Sequence, residues 1–264
     1  MLIVGELINT SRAAVHAAVE AGDKDFIQGL AVQQVQAGAH YVDVNAGTFP
    51  GREPELLTWL VETVQAGSDV PLALDTPDPE ALRRALAVHC GKAMINSITG
   101  ERERWESMLP VVAESGALVI ALCLDDEGMP QSADDRLRVA GKLVRGLTDA
   151  GVAIEDIYLD PLVTPLSTDT NAALSALEAI AAVRREFPGV HTVCGLSNVS
   201  YGLPKRKLLN RCFCSLAMQN GLDGVILDPL DRELISQVMV TQTLLGQDEY
   251  CMGYIQASRE NRLI

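Results

Sequence analysis

The chain has 264 residues, of which 48% are hydrophobic and 21% charged, and its formal net charge is −14. The composition is ordinary for a globular protein with a substantial core. The acidic balance argues against a nucleic-acid partner, because proteins that bind the phosphate backbone usually carry a basic face. The six cysteines form no CxxC pair, which indicates reduced thiols and excludes a disulfide framework.

The amino terminus and the longest apolar run bear on location. Met1–Asn9 lacks a basic segment and turns polar at its end, which is typical of a first strand and not of a signal peptide. The longest apolar run, Ala117–Leu124, is far too short to span a membrane. We therefore expect a cytoplasmic protein with no membrane partner.

Strand and helix patterns alternate along the whole chain. Short apolar runs predict strands, and segments with apolar residues at helical spacing follow them. The predicted strands are Leu2–Ile8, Tyr41–Val44, Pro71–Asp75, Ala93–Ser97, Ala117–Leu124, Ile157–Asp160, His191–Ser197 and Gly224–Asp228. The predicted helices are Lys24–Ala37, Glu55–Gln65, one that begins at Asp78-Pro79, Glu101–Ser115, Ala133–Ala150, Ala172–Phe187, Lys207–Asn220 and Arg232–Leu245.

Eight strand–helix units without a Ser/Gly linker predict an α/β fold, a single (β/α)8 TIM barrel formed by residues 1–264. A doubly wound open sheet is the structural alternative. The number of units favours the barrel, as does the lack of a GxGxxG motif after the first strand.

Most of the predicted strands have Asp or Asn at their last position or directly beside it. Each such residue is also a common turn former, and Asp78 and Asp231 are expected to cap helices. Turn formers, however, have no reason to lie at the same end of nearly every strand, and the carboxyl ends of barrel strands build active sites. The candidate residues are Glu6, Asn9, Asp43, Asn45, Asp75, Asn96, Asp160, Ser197, Asn198 and Asp228.

The candidate residues lack what several common chemistries need. The sequence has no P-loop, no HExxH and no metal-type cluster, and we expect no metal site. The histidines fall on helices or at strand starts, so they suggest no Ser-His-Asp arrangement. Asp and Asn suit a flat heterocycle, because a carboxylate accepts two parallel N–H bonds and an amide serves mixed donor and acceptor edges.

A series of short motifs runs through essentially the whole chain in one order. The motifs are Gly5-Glu6, Ile8-Asn9, Asp43-Val-Asn45-Ala-Gly47, Leu74-Asp75, Met94-Ile-Asn96-Ser97, Tyr158-Leu-Asp160-Pro161-Leu162, Gly195-Leu-Ser-Asn198-Val-Ser200 and Asn210-Arg211. In order, spacing and length they resemble the pterin-binding methyltransferase family. Within that family they are similar to methyltetrahydrofolate:corrinoid protein methyltransferases, including those of glycine-betaine and methoxy-arene demethylation systems.

The resemblance implies roles for individual residues. Asp75, Asn96 and Asp160 would hold the pterin ring, and Asn198 would reach the N5 region that carries the methyl group. Arg206 matches a position near the pterin or its tail. Tyr201 departs from the pattern, since well-known relatives carry a ligand-contacting Gln there. The remaining strand-end candidates in the predicted substrate-binding set are Glu6, Asn9, Asp43, Asn45 and Ser197.

The activity implied by the resemblance is methyl transfer between N5 of tetrahydrofolate and the cobalt of a corrinoid. The chain lacks the DxHxxG motif by which corrinoid-carrying domains ligate cobalt, so the corrinoid would be carried by a separate protein. We expect Asn198 to stabilise the transition state as a hydrogen-bond donor, with Asp75 and water relaying a proton. Relatives are homodimers, which implies the same assembly here, and the direction of transfer stays open.

Two alternatives to this activity remain. One is a dihydropteroate synthase-like enzyme, although the Ser-x-Arg phosphate signature of those enzymes is missing near the carboxyl terminus. The other is a pterin- or folate-binding subunit that performs no chemistry of its own.

Overall fold

The computed structural model describes residues 1–130 and 132–264, and in these residues eight parallel strands alternate with helices. The strands are β1 (Leu2–Asn9), β2 (Tyr41–Asn45), β3 (Leu72–Asp75), β4 (Met94–Gly100), β5 (Leu118–Asp125), β6 (Ile157–Asp160), β7 (His191–Thr192) and β8 (Gly224–Leu227). The helices are α1 (Ala13–Ala21), α2 (Lys24–Gln36), α3 (Glu53–Gly67), α4 (Pro79–Val88), α5 (Arg102–Ser115), α6 (Ala133–Asp149), α7 (Ala172–Glu186), α8 (Arg206–Gln219), α9 (Arg232–Leu244) and α10 (Met252–Arg259). No described helix is both long and apolar enough to span a membrane.

The strands form one sheet in the order β7-β6-β5-β4-β3-β2-β1-β8. The two edge strands meet through the segment after β7, where the amide of Ile226 donates to the carbonyl of Cys194 at 2.9 Å. A parallel bridge between Gly195 and Ile226 completes this junction. The strand–helix alternation and this closure confirm the predicted (β/α)8 barrel.

Side chains of the strands alternate between the barrel interior and the surrounding helices, as the two-residue period of a strand requires. In β2, Tyr41 packs with Met94 and Tyr158 inside the barrel, whereas Val42 and Val44 pack in the outer core. The same alternation turns the polar residues at the carboxyl ends of β2, β3, β4 and β6 inward. An apolar layer therefore forms the floor beneath these polar side chains.

The helix starts follow the capping chemistry predicted from the sequence. Asp78 accepts a hydrogen bond from the amide of Glu80 at 2.8 Å, and Pro79 occupies the first helical position of α4. Asp231 accepts from the amide of Leu234 at 3.2 Å at the start of α9. Both carboxylates therefore have the structural role expected of them.

Three histidines lie at the amino ends of the strands, opposite the candidate site. Nδ1 of His40 accepts from the amide of Ile3 at 3.1 Å, and Nε2 of His89 accepts from the amide of Leu72 at 3.0 Å. His191 stacks on Tyr158 with ring centroids 4.7 Å apart. These contacts give the three imidazoles structural roles at strand starts.

The structure differs from the sequence prediction at three elements. Two helices, α1 and α2, follow β1 where one was predicted, and α10 was missed altogether. The predicted seventh strand, His191–Ser197, ends at Thr192. Beyond it, Leu196–Ser200 forms a 3₁₀ turn, because buried Leu196 and Val199 pack into the core beside β8 and i→i+3 hydrogen bonds replace the ladder.

Candidate active site

Strand register brings the polar strand ends to one level. Asn45 lies opposite Asp75 in the pairing of β2 with β3, and Asp75 lies opposite Asn96 in the pairing of β3 with β4. Asp160 lies opposite Leu122 in the pairing of β5 with β6. Because the side-chain period is two, these residues share the interior face at the carboxyl end of the barrel.

Asp43 and Asn96 form one hydrogen-bonded pair. The amide Nδ2 of Asn96 donates to Oδ1 of Asp43 at 2.9 Å. Asp43 is 3% exposed, and burial, together with the negative charge of Asp75, raises its pKa well above the ordinary value. The pair fixes the orientation of the Asn96 amide, whose Oδ1 remains available as an acceptor.

Asn45 and Asp75 form a second pair. Nδ2 of Asn45 donates to Oδ2 of Asp75 at 3.0 Å and to its backbone carbonyl at 3.1 Å. On its other side, Oδ1 of Asn45 accepts from Thr10 Oγ1 at 3.4 Å and from the amide of Gly47 at 3.0 Å. Burial raises the pKa of Asp75 to about 6, although the Asn45 hydrogen bond and the charge of Arg104 lower it.

Asp160 is held by backbone donors and by the loop that follows it. Its Oδ1 accepts from the amide of Leu162 at 2.8 Å. Burial raises its pKa to about 6, against the lowering effect of backbone hydrogen bonds from Leu162 and Gly195. The buried guanidinium of Arg136 fixes this loop by donating from Nε to the carbonyl of Pro161 at 2.6 Å.

Three carboxyl groups, Asp43, Asp75 and Asp160, are thus desolvated at the floor of one opening and have raised pKa values. Such groups gain most from a ligand edge that donates N–H bonds. Among the described residues, no group of three or more His, Cys, Asp or Glu side chains is placed to hold a metal ion. The arrangement therefore fits a neutral heterocycle rich in donors.

The 3₁₀ turn at residues 196–200, which carries Asn198, begins directly after Gly195, whose backbone amide donates a hydrogen bond to Asp160. The side chain of Asn198 is exposed and forms no hydrogen bond with any described residue. Gly195 leaves room for the Asn198 side chain, since a Cβ on that glycine would lie 3.1 Å from Nδ2 of Asn198. The carboxamide is therefore free to contact a bound molecule.

Glu6, Ser197 and Arg206 form a linked group at the edge of the opening. Arg206 donates from Nη2 to the carbonyl of Ser197 at 2.7 Å and from Nε to Oγ of Ser200 at 3.1 Å, so it braces the turn. Glu6 pairs with Arg12 at 3.4 Å, and burial raises its pKa. A cavity of about 360 Å³ is lined by Glu6, Ser197, Arg206 and Asp228, among others.

Asn9 is a predicted site residue whose side-chain hydrogen bonds with described residues are all local, and Asp228 likewise accepts from the nearby amide of Leu230 at 2.9 Å. Oδ1 of Asn9 accepts from the amide of Ser11 at 3.0 Å and from Ser11 Oγ at 2.7 Å. The Asn9 side chain thus stabilises a turn, which is the purely structural role that an Asn at a strand end commonly has.

Arg104, in the first turn of α5, is not among the site residues predicted from the sequence. Its Nη2 donates to the carbonyl of Ser97 at 3.2 Å, and its charge lowers the pKa of Asp75. Its Nε is buried and has no partner among the described residues. The only signal in the sequence was an arginine near the start of the helix that follows Asn96, and such arginines are common on helix surfaces.

Comparison with known proteins identifies the class that this fold and site define. The family described as pterin binding enzyme matches residues 5–228, and the chain belongs to that family. The resemblance inferred from the motifs is therefore confirmed.

One relative matches along its whole length. The chain is 34% identical over 265 aligned residues to the methylcorrinoid:tetrahydrofolate methyltransferase of Eubacterium limosum, covering 100% of this chain and 98% of that protein. The match supports the prediction of an enzyme of the methyltransferase class. The methionine synthase of Mycobacterium tuberculosis is 29% identical over 240 residues, and the matched region spans 86% of this chain but 20% of that longer protein.

Solved structures agree on the fold. A dihydropteroate synthase of Yersinia pestis superposes with a TM-score of 0.70 at 17% identity, covering 93% of this chain and 94% of that one. A dihydropteroate synthase of Xanthomonas albilineans superposes with a TM-score of 0.71 at 19% identity, covering 94% and 92%. At this identity the likeness concerns the barrel alone.

Proposed function

We propose that this protein transfers a methyl group between N5 of tetrahydrofolate and the cobalt of a corrinoid carried by a separate protein. The observation that carries the proposal is the 34% identity, over 100% of this chain and 98% of the relative, to a protein named for that reaction. The family match and the buried carboxylates of the site support the pterin part of it.

The proposed ring site assigns a binding task to each strand end. Asp160 accepts N–H bonds from the guanidine-like edge of the pterin, and Asp75 accepts from another N–H of the ring; these bonds replace the water that burial has removed from both carboxylates. Asn96, oriented by Asp43, offers its Oδ1 to a donor on the ring. The apolar layer below, with Met94 and Tyr158, supports the flat ring on its inner side.

The chemical step moves a methyl cation equivalent. From methylcorrinoid to tetrahydrofolate, the N5 lone pair forms the new N–C bond, the Co–C electron pair stays on cobalt, and N5 loses its proton. In the opposite direction N5 must regain a proton as its methyl leaves. Asn198 is assigned to this nitrogen as a hydrogen-bond donor, and Asp75, with water, is assigned to move the proton. The pKa of about 6 for Asp75 suits a group that exchanges protons near neutrality.

The corrinoid must approach from outside the barrel in this proposal. The exposure of Asn198 supports it, because a methyl group on N5 beside that amide would face solvent and a docking protein. The relative's name, which includes methylcorrinoid, supports the same partner chemistry. A homodimer in the cytoplasm completes the proposal, and analytical ultracentrifugation tests the dimer.

The test is turnover with free cofactors. The purified protein is mixed with methylcobalamin and tetrahydrofolate, and the cobalt absorption spectrum is followed under anaerobic conditions. We expect loss of methylcobalamin with equal formation of 5-methyltetrahydrofolate. Binding of tetrahydrofolate without any turnover, with free cobalamin or with a corrinoid protein, would favour the pterin-binding subunit instead. Formation of dihydropteroate from a hydroxymethylpterin diphosphate and aminobenzoate would favour the synthase.

A further inference from the structure

A buried arginine contacts the loop that follows β6. Arg136, in the first turn of α6, is 2% exposed. Its guanidinium donates four hydrogen bonds to described residues, and all four acceptors are uncharged carbonyl or hydroxyl oxygens. A desolvated cation is costly unless its donors are satisfied, so these acceptors hold the guanidinium in one place.

The four acceptors come from separate segments of the chain. Nε donates to the carbonyl of Pro161 at 2.6 Å, and Nη2 donates to the carbonyl of Leu162 at 3.3 Å. Nη1 donates to the carbonyl of Ser132 at 3.1 Å and to Oγ of Ser175 at 2.9 Å. The guanidinium thus connects the amino-terminal parts of α6 and α7 with the two residues that follow Asp160.

The peptide unit between Pro161 and Leu162 links this guanidinium to Asp160. The carbonyl of Pro161 and the amide of Leu162 belong to one planar trans unit, in which C=O and N–H point in opposite directions. On one edge of the unit the carbonyl accepts from Arg136. On the opposite edge the amide donates to Oδ1 of Asp160 at 2.8 Å. The orientation of this unit therefore determines whether the carboxylate has its backbone donor.

Leu162 has a backbone conformation that leucine rarely adopts. Its φ is 62°, in the left-handed region where a Cβ is unfavourable. The conformation persists here because its carbonyl is bonded to Arg136 and its amide to Asp160. Loss of the guanidinium would remove the first of these bonds and also the bond to the preceding carbonyl. Leu162 would then relax towards negative φ and turn its amide away from the carboxylate.

The charge of Arg136 acts on the same carboxylate. Burial raises the pKa of Asp160 to about 6, whereas backbone hydrogen bonds and the charge of Arg136 lower it. The thiols of Cys123 and Cys194 are also close to Asp160, and burial raises the pKa of both, so they are neutral. Arg136 is therefore the cation that favours the ionised form of Asp160.

We propose that Arg136 is a positioning residue for the pterin site, which holds Asp160 in the orientation that binds the ring. This role rests on the proposed function, since it concerns the carboxylate assigned to the guanidine-like edge of the pterin. Arg136 acts through the Pro161–Leu162 peptide unit and through its charge, and it does not touch the substrate itself.

The pH dependence of tetrahydrofolate affinity, measured by fluorescence titration from pH 5 to pH 8, tests this role. Arg136→Met should lower the affinity about tenfold at pH 7.5. It should also move the acid decline of affinity to higher pH, because loss of the cation and of the Leu162 donor both raise the pKa of Asp160. Arg136→Lys keeps the charge and should move the decline less. Arg145→Met, an equal loss of charge on the exposed face of α6, should change neither property.

Substitutions of Leu162 separate positioning from packing. Leu162→Gly added to Arg136→Met should recover at least about threefold in affinity, because glycine adopts positive φ without help from the guanidinium. With Arg136 intact, Leu162→Val should weaken binding about threefold, since a β-branched side chain resists the left-handed region. Leu162→Val decides the question if Arg136→Met does not fold.

Two results would overturn the positioning role. One is a folded Arg136→Met protein that binds tetrahydrofolate as the intact protein does, or whose loss is equal at every pH and is not relieved by Leu162→Gly. The other is unchanged affinity in Leu162→Val. These measurements concern binding alone, so failure of methyl transfer is a separate result, in which the intact protein binds tetrahydrofolate without turnover.

Discussion

The side-chain amide of Asn96 donates to Asp43 across a distance of 2.9 Å, from β4 to β2. A similar hydrogen bond joins another pair of strands: the side-chain amide of Asn45 on β2 donates to Asp75 on β3 at 3.0 Å. Strand β2 thus supplies two orienting side chains, and the neighbouring strands supply the groups assigned to the pterin. The resemblance assigned Asp75 and Asn96 to the ring and left Asp43 and Asn45 as further binding candidates; the hydrogen bonds give these two side chains a positioning role.

The positioning role of Asp43 predicts a specific coupling. Asp43→Ala frees the Asn96 amide to rotate, so the affinity for tetrahydrofolate should fall about tenfold. Asn96→Ala should cost a similar amount. Because both changes remove one oriented contact, the double variant should be little worse than either single variant. Strictly additive losses in a double-mutant cycle would show that Asp43 acts independently of Asn96.

Asp160 predicts a loss of binding and a pH dependence. Asp160→Ala leaves the donor edge of the ring unpaired, and tetrahydrofolate affinity should fall at least about tenfold. In the intact protein the carboxylate must be ionised to accept both N–H bonds, and its pKa is raised to about 6. Affinity should therefore decline as the pH falls from 7.5 to 5. Unchanged affinity in the variant, measured by fluorescence titration, contradicts the assignment.

The same carboxyl group predicts a pH-dependent stability without ligand. Its pKa rises from 3.8 to about 6 on folding because of burial, so the folded state binds the proton more tightly. The stabilisation is complete below the unfolded pKa and is lost as the pH rises through about 6. Between pH 5 and pH 8 the intact protein should lose on the order of 1 kcal/mol of unfolding free energy relative to Asp160→Asn. Urea unfolding at both pH values measures this difference, and a pH-independent difference would contradict it.

Asn198 predicts an effect on turnover larger than its effect on binding. Asn198→Ala should lower kcat at least about tenfold while the dissociation constant of tetrahydrofolate changes less. Gly195→Ala should lower kcat as well, because the added Cβ would lie 3.1 Å from the Asn198 amide and displace it. Asn220→Ala, at the far end of α8, is the matched control. Full turnover in Asn198→Ala rules out its assigned role.

The barrel and its polar strand ends were predictable because they follow from local patterns. Apolar runs of strand length, caps such as Asp78 and terminal residues such as Asp75 and Asp160 are written in short stretches of sequence. The interior placement of Asp43 and Asn45 also follows, since the period of a strand fixes which face a residue occupies.

What the sequence did not predict depends on side-chain contacts and packing that local residue patterns do not encode. The end of β7 at Thr192 is set by the packing of Leu196 and Val199 beside β8. The contact of Arg104 with Ser97 spans a strand and a helix, and the brace from Arg206 to the turn requires α8 to start where it does. The pattern of a strand continues through Gly195–Asn198 in the sequence, and only the tertiary structure shows that the chain forms a 3₁₀ turn there.

The most direct test of methyl transfer follows the methyl carbon itself. The intact protein is supplied with isotopically labelled methylcobalamin and tetrahydrofolate, and the products are separated and examined by NMR. We expect the label on N5 of the folate in amounts equal to the methylcobalamin consumed, at a rate at least about tenfold above that of Asn198→Ala. Methyl transfer would be contradicted if labelled product formed no faster than in a protein-free control. This result would have to hold both with free methylcobalamin and with a methylated corrinoid protein as the donor.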